Sequence, residues 1–172
     1  MKEITYLLTI LFISSCATSY SQKELFSPSA KLDKQKSVMI IVPENGFYEG
    51  KEYENSGKIT ALSTRAAFAK FTNNSVVSRN CKDLVCIQNQ SPSLAFDYYV
   101  VPEILHWEDR ATEWSGILDK LEIKISIYEG KEWREVATSI ISGKSKWMTL
   151  GGDHPQDLIP VPMNKYIESL YQ

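Results

Sequence analysis

The run LEIKISIY at residues 121–128 decides the fold: Leu121, Ile123, Ile125 and Ile127 alternate without a break with Glu122, Lys124, Ser126 and Tyr128. Successive side chains of an extended chain point to opposite faces, so this order predicts an antiparallel strand with one face on a core and the other in water. Glu129, Gly130 and Lys131 supply a turn, and Val136–Ile141 returns as the hairpin partner. Farther out, Val38–Val42 is an unbroken apolar run stopped by Pro43, the pattern of a strand covered on both faces, and Tyr98–Leu105 is a second apolar strand. Ser75–Ser78 reads as a short strand. Between them, a loop punctuated by Asn45, Gly46, Gly50, Asn55 and Gly57 leads into a helix, where Ile59, Leu62, Ala66 and Ala69 recur at helical spacing and Phe68 and Phe71 widen the apolar face. A helical turn is expected between Leu84 and Ala95. Asp153 ahead of Pro155 reads as a helix start that Pro160 and Pro162 interrupt. Met163, Tyr166, Ile167 and Leu170 then fall at i, i+3, i+4 and i+7, so a C-terminal helix should lay that face on the sheet.

The expected fold class is α/β (α+β): a single domain over residues 37–172, with a mixed β-sheet of about five strands and helices packed against it, ending in a C-terminal helix. No internal repeat or second domain is visible in the 172 residues.

Ile13, Ser14, Ser15 and Cys16 close an apolar stretch over residues 4–13, too short for a spanning helix of about twenty residues. The stretch instead has the form of an export signal. Its end resembles the lipobox of bacterial lipoproteins. That resemblance implies that residues 1–15 are a signal peptide, that Cys16 becomes an acylated (palmitate-type) amino terminus, and that the chain holds to a membrane through lipid. Asp after the cysteine commonly retains such proteins at the inner membrane; here the residue is Ala17, which favours the outer membrane, facing the periplasm. Residues 16–36, rich in Ser, Lys and Gln, read as a flexible tether with a reach of roughly 25 Å.

A net charge of −2 without a clustered basic run argues against nucleic acid as a partner. With Cys16 acylated, Cys81 and Cys86 remain as a pair, and an oxidising compartment makes a disulfide the expected state, contributing about 2 kcal/mol. A metal site joining these cysteines to His106 and His154 lacks the close histidine pair of known zinc modules, so no metal or other cofactor is expected. Ser142–Ser145 spells the end of a phosphate-binding loop, but Thr138 stands where that loop needs a glycine, so no nucleotide is expected either.

The densest polar stretch is HWEDRATEWSG at residues 106–116. If extended, it places His106, Glu108 and Arg110 on one face and Trp107 and Asp109 on the other. A histidine beside a carboxylate can serve as a general base or share a metal, and paired carboxylates can cleave glycans. The plainer reading pairs Arg110 with Glu108 or Glu113 and lets Trp107 and Trp114 cover the sheet. In GGDHPQDL at 151–158, Asp153 is a helix cap and His154 an exposed neighbour. Trp107, Trp114, Trp133 and Trp147 all fall in the sheet half, either as a recognition surface or as packing. There is no Gly-x-Ser-x-Gly elbow, and no residue is assigned a catalytic role.

Taken together, residues 42–57, 106–116, 142–147 and 151–158 resemble a bacterial lipoprotein family, domain of unknown function 4823. The resemblance implies a lipid-anchored envelope protein and carries no established reaction. The expected function is therefore a non-enzymatic, periplasm-facing binding or scaffolding module for an envelope protein or cell-wall partner, using His106, Trp107, Glu108, Asp109, Arg110, Glu113, Trp114, Asp153 and His154 as its surface. Two alternatives stand beside it: an envelope hydrolase or metal-dependent enzyme built on His106, Glu108, Asp109 and His154, and a small-ligand carrier, which needs an enclosed apolar pocket.

Overall fold

The computed structural model describes residues 17–79, 81–89, 96–110, 117–130, 132–146 and 154–172. Among these residues the strands are β1 (Ser19–Phe26), β2 (Val38–Ile40), β3 (Gly46–Tyr48), β4 (Lys51–Tyr53), β5 (Ser75–Val77), β6 (Tyr98–Glu108), β7 (Lys120–Glu129) and β8 (Arg134–Lys144). The helices are α1 (Ser56–Phe68), α2 (Leu84–Asn89) and α3 (Pro160–Tyr171), with a 3-10 turn at Pro155–Leu158. Six strands form one mixed sheet in the order β1-β8-β7-β6-β2-β5, one more than the sequence predicts. β5, β2 and β6 run parallel; β6, β7, β8 and β1 pair antiparallel.

The alternation in β7 sorts the two faces. Leu121, Ile123, Ile125 and Ile127 are fully buried beneath α1, α3 and the 3-10 turn, all on one side of the sheet. Glu122 and Lys124 are half-exposed on the other side. β2 is covered on both faces, as an unbroken apolar run requires: Val38 and Ile40 join the main core, while Met39 and Ile41 pack with Ile87, Cys81 and Tyr99 in a smaller cluster. The Cys81–Cys86 disulfide closes that cluster, with a Cα–Cα distance of 5.4 Å. In α3 the predicted face is the buried one, with Met163, Tyr166, Ile167 and Leu170 at 1% exposure or less. Pro160 and Pro162 occupy its first turn, where the missing N–H groups have no helical partner to lose. The prolines thus separate the 3-10 turn from α3.

Three expectations are corrected. Within the tether expected over residues 16–36, Ser19–Phe26 is instead the folded edge of the sheet, paired along β8, and the Leu32 N–H bonds to the Leu170 carbonyl at 2.8 Å. The buried face of α1 is Ser56, Gly57, Thr60, Ala61, Thr64, Ala67 and Phe68, rotated away from the apolar face the sequence suggests, and Leu62 is 46% exposed. Small residues line it because the helix start presses against the backbone, so that a Cβ on Gly57 would lie 2.3 Å from the Pro43 carbonyl oxygen. Finally, the loop after Pro43 contains the β3–β4 hairpin.

Gly57→Ala should therefore lower stability by about 1–3 kcal/mol, read as a lower urea midpoint, because backbone cannot yield to the added methyl; an unchanged midpoint would contradict this seating of α1. Replacing Cys81 and Cys86 together by serine should cost about 2 kcal/mol in the same assay without unfolding the domain, since the bridge clips a local turn.

Candidate functional site

β6 carries one extra residue between Ile104 and His106: Ile104 pairs with Ile123 and His106 with Glu122 of β7. This bulge shifts the alternation by one. Leu105 is 43% exposed, and Trp107 turns into the core at 2% exposure. His106 and Glu108 then emerge together on the face of the sheet opposite α1 and α3. The β3–β4 hairpin lies against this end of β6. Gly46 makes the approach possible, because a Cβ there would meet the Trp107 Cβ at 2.6 Å. The hairpin turns through Glu49 and Gly50 at φ 46° and 82°, the positive pair of a two-residue turn that matches strand twist, and an uncommon conformation for glutamate.

That turn sets Tyr48 edge-on to His106, with ring centroids 4.9 Å apart, and under the Arg110 guanidinium at 5.6 Å. Arg110 Nη1 donates to Glu49 Oε2 at 2.7 Å, which holds the arginine above its usual pKa. Beneath this ladder lies Glu108, its side chain 3% exposed. Its carboxylate faces three cationic or cation-forming groups: Lys120 Nζ at 3.0 Å, His106 Nε2 at 3.1 Å and Arg110 Nε at 3.5 Å. Burial pushes the Glu108 carboxyl up, but hydrogen bonds from Lys120 and His106 outweigh it, so the group sits below the ordinary carboxylate range.

Across the strand end is a second cluster. Asp109 Oδ1 bonds to His154 Nδ1 at 3.1 Å, and this bond outweighs burial to raise the histidine's pKa. The His154 N–H donates to the Asp157 carboxylate, so Asp157 caps the 3-10 turn from within; Asp153, the expected cap, lies outside the described residues. Asp119, fully buried ahead of β7, accepts the Arg110 N–H at 2.7 Å and takes its own N–H bond to Ser145 Oγ at 2.9 Å. Asp109, Asp119 and His154 place one ligand atom each within 4.8 Å of one another, the donor types and spacing that a divalent cation accepts. The same side chains also serve the hydrogen bonds just given.

The expected face pattern, His106, Glu108 and Arg110 against Trp107 and Asp109, is the one observed. Convergence of His106, Glu108, Asp109 and His154 is not: they form two pairs, His106 with Glu108 and Asp109 with His154, on opposite sides of the end of β6. Trp107, expected on the binding surface, is a core residue. Trp133 packs on Tyr99 with ring centroids 4.6 Å apart. Cys16, Glu113, Trp114 and Trp147 lie outside the described residues. Sequence reasoning missed Tyr48, Glu49, Asp119, Lys120 and Ser145. For the first two a signal existed, since a two-residue Glu49–Gly50 turn between FY and KEY is a hairpin pattern. Ser142–Lys144 lies within β8, and Gly143 gives room to Leu158.

The stretches around His106, Ser145 and His154 therefore meet at one end of the sheet. The family described as a domain of unknown function, DUF4823, matches residues 30–170. The chain belongs to this family. No curated protein matches it in sequence. Among solved structures, the PelC dodecamer from Paraburkholderia phytofirmans is similar at a TM-score of 0.63 and 12% identity, over 90% of this chain and 97% of that one. A single-residue variant of the same PelC gives 0.59 and 10%, over the same shares. A lipoprotein from Neisseria meningitidis, GNA1162, gives 0.45 and 12%, over 67% of this chain and 88% of that one. The PelC structures share the fold with this DUF4823 chain. No helix among its described residues is long and apolar enough to cross a membrane.

Glu108→Ala should lower stability near neutral pH by about 1.5–3 kcal/mol, because three cationic partners lose a buried carboxylate. With a depressed folded pKa, the contribution of Glu108 is present above its unfolded value near 4.3 and fades as pH falls through the folded value. For His154 the sign reverses. Its raised pKa stabilises the fold fully below about 6.5 and the effect is lost as pH rises through the folded value, amounting to no more than about 1 kcal/mol for this half-exposed pair. Urea midpoints measured across that range should show the decline in the native chain, and Asp109→Asn should abolish it.

Proposed function

We propose that this DUF4823 chain is a lipid-anchored bacterial envelope protein whose domain is a non-enzymatic binding module. The ladder of Tyr48, His106 and Arg110 is its contact surface. One observation carries the reading: an aromatic ring, an imidazole and a guanidinium are presented side by side and held in place from beneath by the buried Glu108. Tyrosine and arginine over a rigid support are the residues and the setting that dominate binding energy at protein interfaces. The lipobox-like run ending at Cys16 supports the anchor and the envelope. The family and the fold shared with PelC are compatible with that placement, and the partner is an envelope protein or a cell-wall component.

A photo-crosslinking residue placed at Phe47, which is 64% exposed beside Tyr48, tests this in intact cells. A discrete adduct is expected at that position and not at Lys70, at the other end of the molecule. The adduct should fall at least tenfold when Tyr48→Ala and Arg110→Ala are added. Adducts of equal yield at both positions, or an adduct indifferent to the two substitutions, would refute the assignment.

A further inference from the structure

The structure assigns an orientation on the membrane: the Ser19 end of the sheet faces the bilayer, and Lys120, Lys144 and Lys146 rest against anionic lipid headgroups. This rests on the anchoring of Cys16 proposed above. Because β1 begins at Ser19, only Ala17 and Thr18 separate the anchor from hydrogen-bonded sheet. An extended chain advances at most about 3.6 Å per residue, so the Cα atoms of Cys16 and Ser19 are no more than about 11 Å apart. A flexible arm of twenty residues would leave the domain free to turn; this spacing does not.

Register identifies what lies beside the anchor. Ser19 pairs with Lys144, and Lys144 with Lys120, so two lysines lie in the row of the sheet that carries the anchor. Lys146 follows two residues beyond Lys144 and, like it, is exposed. Part-exposed Tyr20 (38%) and Ile117 (41%) flank the same end. The carboxylates there are engaged: Glu108 is buried against Lys120, Asp119 is buried, Asp109 holds His154 and Glu49 holds Arg110. Asp157 caps its own turn. Glu122 lies two rows farther from the anchor, opposite Ser142. Lys144 and Lys146 form no ion pair among the described residues. Among the described residues the outward charge nearest the anchor is therefore positive, which suits a phosphate-bearing surface, each such lysine strengthening attachment about fivefold.

Lysine footprinting on the full lipidated chain tests this. The protein is labelled with a membrane-impermeant amine reagent in detergent, in vesicles of phosphatidylethanolamine and phosphatidylglycerol, and in vesicles of phosphatidylcholine alone. In the anionic vesicles, labelling of Lys144 and Lys146 should fall about fivefold relative to detergent, with Lys120 following. Lys34 and Lys70, exposed at the opposite end, should keep their labelling, and phosphatidylcholine should give little protection. A chain that floats with vesicles but labels equally at both ends overturns the orientation alone. Protection that persists in phosphatidylcholine overturns the headgroup contact. A chain with intact Cys16 that does not float overturns the anchoring reading, and the orientation with it.

Discussion

Everything in this domain depends on the antiparallel register that binds β6, β7, β8 and β1 into a sheet with one oily and one wet face. The driving term is burial of the aliphatic row of β7 under α1, α3 and the 3-10 turn. Each such side chain is worth about 1.5–3 kcal/mol when removed from water. Because side chains alternate, a slip by one residue would exchange the faces of a whole strand. The register is thereby pinned, and the positions of the polar groups follow from it rather than from their own attractions.

The bulge at Leu105 is the one local exception, and it builds the candidate site. Without the extra residue, His106 would follow Ile104 into the core and Trp107 would face water. With it, the indole fills the core beside Gly46, and His106 and Glu108 are set next to Lys120 on the open face. Glu108 is then a desolvated carboxylate that is tolerable only because cationic groups surround it. The contacts that satisfy Glu108 also hold Arg110 and His106 in line with Tyr48. Stability and surface presentation come from the same network.

How much of this is legible in the sequence depends on whether burial or backbone pairing holds each element. β2, β6, β7, β8 and α3 are readable because the residues they bury recur at the period of their backbone. β1 is not: seven of its eight residues are exposed, so SYSQKELF has no burial rhythm, and its hold on β8 is backbone hydrogen bonding, which is blind to side-chain type. α1 misleads for the opposite reason. It packs so closely that Gly57, Thr60, Ala61 and Thr64 are favoured over larger residues, and the apolar Leu62 is left outside. At the site, the period of two correctly divides His106, Glu108 and Arg110 from Trp107 and Asp109. Periodicity assigns faces, not neighbours. Asp119, Lys120, Ser145 and the Tyr48–Glu49 turn reach the cluster through pairings distant in sequence that no local pattern encodes.

The pairing of β1 with β8 links anchor, lysine row and site into one rigid end of the molecule, and hydrogen–deuterium exchange of the full-length protein tests it most directly. The account predicts that the β1 amides bonded to β8 exchange far more slowly than an unstructured chain, in step with the edge of the sheet. Exchange of all residues from Ser19 to Phe26 at the rate of a free peptide would contradict it, and would return that segment to a tether.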